Sequence, residues 1–222
     1  EIVNGLDLDI NKSKLPTYKI LDTSGGYDIS VTFKSSTHKF SNGGNSDNVI
    51  GSEYTLADKQ SNNIILQDSL NYGLPLGIYY KGETYNTTFK NELNQTFNFH
   101  PHGLNCDPWV DGASMINEFG QDSYVGPQID LSYKIYNNSM FSAWHPHPMF
   151  RASPLLYQGL FMPYIVEDHY SIQFSKIFDF SLNENDIPIS FGAIDYDGSL
   201  NAKNLYRFTD KVTFDVSNTN IY

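Results

Sequence analysis

The tripeptide His-Pro-His occurs twice, as His100-Pro101-His102 in FNFHPHGLN and as His145-Pro146-His147 in SAWHPHPMF. The two copies hold four of the chain's six histidines and begin 45 residues apart. Each lies among aromatic and β-forming residues, so each reads as a strand or a strand end. On a strand, side chains at i and i+2 leave the same face, so the two imidazoles of a copy point together. Proline follows His100, His145 and His147 and steers each toward extended backbone. If the two strands are neighbours, the pairs form a four-imidazole metal site. The competing reading is surface histidines repeated by accident; two identical copies in a chain otherwise nearly free of histidine favour the metal.

Imidazole suits copper, zinc, iron and nickel, and affinity alone favours Cu(II). Zinc could take the same four nitrogens tetrahedrally at ~2.0–2.1 Å. A four-histidine set without thiolate or carboxylate fits copper better than a structural zinc site, which usually recruits cysteine. Cys106 and Met149 raise a blue-copper site of His₂Cys with axial Met, but Cys106 precedes His145 by 39 residues, whereas such ligands usually crowd one late loop. Cys106 therefore reads as a small thiol, His38 as a solvated loop histidine and His169 as a structural residue near a strand end. Asp111, Glu167 and Asp168 are candidate acceptors for imidazole N–H groups, with turn and strand-end carboxylates as the plainer reading. The chain carries no Gly-rich phosphate loop, no G-x-S-x-G and no H-E-x-x-H, and its scattered acids nominate no glycosidase pair.

Strands must position these residues. The 222 residues include 16 Tyr, 15 Phe, 16 Gly and 10 Pro, a composition of strands joined by turns. Residues 1–16 read as an arm. TYKILDTSGGYDISVTFK reads as two strands about a Ser24-Gly25-Gly26 turn, and residues 35–48 as a polar loop. Asn62 to Gln67, LPLGIYY and GETYNTTFKNEL supply further strands, with QTFNFHPHG as the expected partner of the last. The segment from Leu104 to Pro127 reads as a long loop with a tight turn at Asp111-Gly112. QIDLSYKIYNN alternates at Ile129, Leu131, Tyr133 and Ile135. SAWHPHP follows, then the more apolar GLFMPYIVED, expected to be central. SIQFSKIFDFSL, IPISFGAI and LYRFTDKVTFDV supply three more strands, and no helix longer than a turn or two is expected. About ten strands without a composition break predict one all-β domain over residues 1–222, a sandwich or barrel.

A net charge of −11 argues against binding nucleic acid or anionic membranes. No apolar run approaches the ~20 residues of a bilayer span, so no membrane insertion is expected. The single cysteine precludes an intrachain disulfide. The first residue is Glu1, which suggests processing or a longer parent chain. Sequons at Asn11, Asn86, Asn94 and Asn137 permit glycosylation. An extracellular or particle-surface setting is expected.

The run IYYKGETYNTTFKNELNQTFNFHPHGLN resembles the first domain of multicopper oxidases, laccases and their relatives, in which a G-D-T strand leads to H-W-H-G. Asp111-Gly112 resembles the D-G that follows there. VGPQIDLSYKIYNNSMFSAWHPHP resembles the family's P-G-x-x-x-x-Y-x-F … Y-W-Y-H-S-H segment, and Gly159 through Asp168 its closing G-L-x-G-P-L-I-V-E-D. The match spans about residues 76–168, with extra strands expected over 169–222. It implies a cupredoxin-like Greek-key β-sandwich. It also implies that His100 corresponds to a type 2 copper ligand, and that His102, His145 and His147 correspond to ligands of the type 3 pair. Proline replaces the aromatic of the first motif and the serine of the second. Pro148 replaces a small polar residue, and Met162 a glycine. The family's last-domain H-x-x-H-x-H and H-C-H segments are absent from this sequence. The resemblance thus implies a copper-binding domain holding half of a cluster, with oxidase activity only if a second cupredoxin domain or a neighbouring copy completes it. The alternative is a structural or surface protein on a cupredoxin scaffold, its histidine site vestigial or occupied by zinc.

Overall fold

A computed structural model describes residues 18–24, 27–39, 45–93, 95, 97–112, 127–147 and 152–182. Among them ten strands form two five-stranded sheets. The first sheet contains β1 (Ile20–Asp22), β5 (Leu76–Tyr80), β10 (Met162–Glu167), β9 (Met140–Pro146) and β7 (Phe99–Pro101), in that spatial order. The second contains β4 (Ile64–Leu70), β3 (Asn45–Ala57), β2 (Asp28–Lys39), β6 (Thr84–Asn91) and β8 (Gln128–Lys134). Short helices α1 (Pro108–Asp111) and α2 (Ala152–Tyr157) and the longer α3 (His169–Phe178) complete the described elements. Both sheets mix parallel and antiparallel pairs: β5 runs parallel to β1 and β10, and β2 parallel to β6.

Side-chain alternation builds the core between the sheets. In β6, Tyr85, Thr87 and Phe89 are buried while Thr84, Asn86 and Lys90 face out. Tyr133 of β8, Phe33 of β2, and Trp144 and Phe99 of the opposite sheet are also buried. Rings cross the interface: Phe33 meets Phe99 at 5.3 Å, Phe89 meets Trp144 at 5.3 Å and Tyr79 meets Tyr85 at 5.1 Å. Such pairs add roughly 0.5–1.5 kcal/mol each beyond the apolar area they bury. β5 and β10 are nearly continuously apolar, and successive residues, which point to opposite faces, are buried in both. The all-β sandwich is therefore as expected, and β10 is central.

Several expectations need correction. The two strands expected on either side of Ser24 are β1 and β2, which belong to different sheets. Most of residues 35–48 is strand: β2 continues to Lys39 and β3 begins at Asn45, with His38 paired to Ser46 in the backbone ladder. A ladder is made by main-chain groups and does not require apolar side chains. β7 pairs with β9 in the opposite sheet and not with β6, whose partners are β2 and β8. SIQFSKIF belongs to helix α3, capped by Asp168, whose side chain accepts the N–H groups of Tyr170 and Ser171. The expected arm and the last two strand candidates lie outside the described residues. No helix among the described residues is long and apolar enough to cross a membrane.

Candidate metal centre

β7 and β9 run antiparallel with Phe99 opposite Pro146, His100 opposite His145 and Pro101 opposite Trp144. Phe99, Pro101, Trp144 and Pro146 are buried, whereas His100 and His145 are half-buried on the outer face. The same register places His102 against Ala143, whose carbonyl accepts the His102 N–H at 2.9 Å. It places His147 against Asn98, whose Oδ1 accepts the His147 N–H at 3.0 Å.

This register explains the prolines. In an antiparallel pair the main-chain groups of alternate residues point to opposite sides. The histidines direct their N–H groups across the β7–β9 gap, so Pro101 and Pro146 direct their nitrogens away from it. Pro101 faces out from the sheet edge, and Pro146 lies beyond the last residue of β9 paired with β10, Trp144. Neither proline removes a ladder bond. The histidine–proline alternation is thus matched to the ladder.

The four imidazoles group about the His100–His145 pair, whose ring centroids are 5.3 Å apart. His102 lies 5.7 Å from His100 and 5.4 Å from His145 on one side. His147 lies 5.3 Å from His100 and 5.7 Å from His145 on the other. On the His102 side, ligand atoms of His100, His102 and His145 all lie within 4.8 Å of one another. The strands are neighbours, as the four-histidine reading required, but the rings line two triangles with a common edge.

Backbone acceptors settle which nitrogens are bare. His100 Nδ1 lies 2.6 Å from the Asp111 carbonyl, which can only accept, so Nδ1 carries the proton and Nε2 its lone pair. His145 Nδ1 likewise donates to the Pro146 carbonyl at 3.0 Å, leaving Nε2 bare. His102 Nδ1 meets that Nε2 at 3.3 Å and must be the donor. Burial, and to a lesser degree the neighbouring imidazoles, hold the His145 pKa below its ordinary value against the opposing Pro146 hydrogen bond. A neutral, oriented imidazole is the form that binds a metal.

Surrounding groups hold the ligand backbone. The His102 carbonyl accepts from Ser142 Oγ at 2.7 Å and Tyr164 Oη at 2.6 Å. Asn137 ties the following turn: its Nδ2 donates to Gly103 O at 2.9 Å, and its Oδ1 accepts the Asn105 N–H at 2.8 Å. α1 presents the Asp111 carbonyl to His100, with the carboxylate 3.5 Å from the same nitrogen. Gly112 closes α1 at φ 59°, and a Cβ there would stand 2.5 Å from Phe99 O. Asp111 thus meets an imidazole N–H, mainly through its main chain. Glu167 accepts the Ser171 hydroxyl and Asp168 caps α3, so both serve that helix. Burial raises the Cys106 thiol to about 11, that of an inert packing residue. Met149 lies outside the described residues. Asn98, Asn137, Ser142 and Tyr164 escaped sequence reasoning, since only the register shows which backbone group each one faces.

A family model described as multicopper oxidase matches residues 52–171, more than half of the chain and inclusive of all four histidines. The chain belongs to the multicopper oxidase family. Among solved structures, a multicopper oxidase from Aquifex aeolicus matches at 22% identity and a TM-score of 0.59, covering 80% of this chain and 35% of its own. A laccase from Pediococcus acidilactici matches at 22% identity and a TM-score of 0.58, covering 86% of this chain and 38% of its own. These likenesses show the fold, a cupredoxin-like Greek-key sandwich. No curated protein sequence matches the chain. This multicopper oxidase chain spans little more than a third of the length of either structure. The family implies copper, and the all-imidazole donor set, with bare Nε2 atoms on His100 and His145, fits it; nothing in either comparison points to zinc.

Proposed function

We propose that this chain is a copper-binding domain whose His100, His102, His145 and His147 supply half of a histidine-ligated cluster. The other half comes from a second cupredoxin domain, in the same polypeptide or a neighbouring copy. The observation that carries the reading is the register of β7 and β9, which sets His100 against His145 and gathers four rings on one face. The open shape of the group supports an incomplete cluster. His102 and His147 are exposed, and the β7–β9 register sets them at opposite ends of the group.

Bound copper supplies one-electron redox chemistry to such a site. The chain's own residues bind and orient. The Asp111 and Pro146 carbonyls fix the tautomers of His100 and His145, Ala143, Ser142 and Tyr164 hold the His102 main chain, and the buried prolines keep both strands extended. Pro101 and Pro146 depart from the family pattern, and the ladder accommodates them without loss. The test is elemental analysis and EPR after exposure to Cu(II) and Zn(II) and desalting, on wild type, His100→Ala and His145→Ala. The expected result is copper retained by the wild type and lost from both variants. Histidines that hold no metal, or copper held equally by all three proteins, would overturn the proposal in favour of a vestigial site on a cupredoxin scaffold.

A further inference from the structure

Asn98 is fully buried, although it lies on the face that carries the histidines. Phe97 and Phe99 point into the core, where they meet Phe33 at 5.1 and 5.3 Å, so strand alternation sends Asn98 to the side of His100 and His102. Its Oδ1 takes the main-chain N–H of His147 at 3.0 Å. Its Nδ2 is buried and has no hydrogen-bond partner among the described residues. The orientation of the amide is dictated by that one bond. Turning the group over would set two donors, Nδ2 and the His147 N–H, against each other.

For folding alone this is a poor arrangement. A neutral hydrogen bond returns less, net, than a buried donor left unpaired costs. An apolar side chain of the same volume would avoid the unpaired donor. What the carboxamide provides is placement. The β7–β9 pairing ends at Phe99 opposite Pro146, so the His147 main chain is tied to β7 by a side chain at the point where the ladder stops. Of the four histidines, His147 alone depends on this side-chain tether.

We infer that Asn98 is a positioning residue for the metal site: it holds His147 beside His100 and His145, at the expense of stability, and acts on copper only through His147. The inference rests on the reading of His147 as a ligand. The test is a double-mutant cycle of Asn98→Leu and His147→Ala, reading copper affinity by competition with a chelator and apo stability by urea unfolding. Outer partners of metal ligands typically contribute 10–100-fold in affinity. Asn98→Leu should therefore weaken copper by about 10-fold or more in the wild-type background and by less than about 2-fold beside His147→Ala. Its apo midpoint should be equal to or above that of the wild type. Should the leucine variant not fold, Asn98→Ala goes through the same affinity cycle. Asn98→Asp, which keeps the acceptor, should retain copper binding.

Equal copper affinity for Asn98→Leu and wild type, with His147→Ala weakened, would overturn the positioning role and leave the metal site standing. An equal loss from Asn98→Leu in both backgrounds would also overturn it, because the residue would then act independently of His147. If neither His147→Ala nor His100→Ala affects copper, the reading of the site fails first.

Discussion

Gly112 shows how much of the site depends on main chain. It sits at φ 59°, in the left-handed region, and a side chain there would collide with the Phe99 carbonyl on the strand that carries His100. Left-handed strain alone costs about 1–3 kcal/mol for a residue with a Cβ. The collision adds displacement of β7 or of the Asp111 carbonyl. Gly112→Ala should thus lower unfolding free energy by roughly 2 kcal/mol or more and weaken copper, both measurable by denaturant titration and chelator competition. A stable variant with weakened copper would locate the effect in the Asp111–His100 bond. At this scale the sequence was informative where residue type is rare and spacing regular. Paired histidines pick out the side chains that β7 and β9 bring together, and Asp111-Gly112 the turn beside His100. The asparagines were silent. A carboxamide has a role only once a particular N–H or carbonyl stands opposite, and that is a property of register.

Elements were legible in proportion to how local their causes are. β6 and β8 alternate because one face is buried, and that period is written in the residues. The pairing of β7 with β9 is a fact of topology, and sequence proximity pointed wrongly to β6. α3 was misread because Ile172 and Phe174 alternate with polar neighbours. Tyr170, Phe174, Ile177 and Phe178 nonetheless follow helical spacing, and Asp168 with Ser171 forms the capping box that starts the helix. That stripe remains exposed, so no burial enforced the pattern. Asp168 links two elements: its carboxylate also accepts the Ser139 N–H, 3.0 Å away, just before β9. Main-chain donors of Ser171, Ser139 and Tyr170 hold its pKa below the ordinary value. A lowered folded-state pKa gives stability that is present above the unfolded value of about 4 and lost as pH falls through the folded value. Asp168→Ala should cost about 0.5–2 kcal/mol at neutral pH and flatten the acid limb of the stability–pH profile. An unchanged limb in urea unfolding between neutral pH and pH 3 would deny the carboxylate this role.

At the scale of the molecule, the aromatic core explains why a mixed-topology sandwich forms without disulfides, and the histidine arithmetic limits what it can do. Beyond the four site histidines the chain has His38 and His169. His38 is paired within the opposite sheet, and His169 begins α3. Neither belongs to the group of imidazoles on β7 and β9. A cluster needing as many ligands again must therefore receive them from another domain or copy. The relatives of known structure are more than twice as long as this chain, in keeping with that requirement. The purified 222-residue chain, loaded with copper and supplied with a phenolic reductant, should consume no dioxygen above a copper-matched His100→Ala blank in an oxygen electrode. Consumption that rises with the square of chain concentration would identify a second copy as the missing half. Consumption strictly proportional to chain concentration, from a protein shown to be monomeric by light scattering, would mean that four histidines suffice and that the half-cluster reading is wrong.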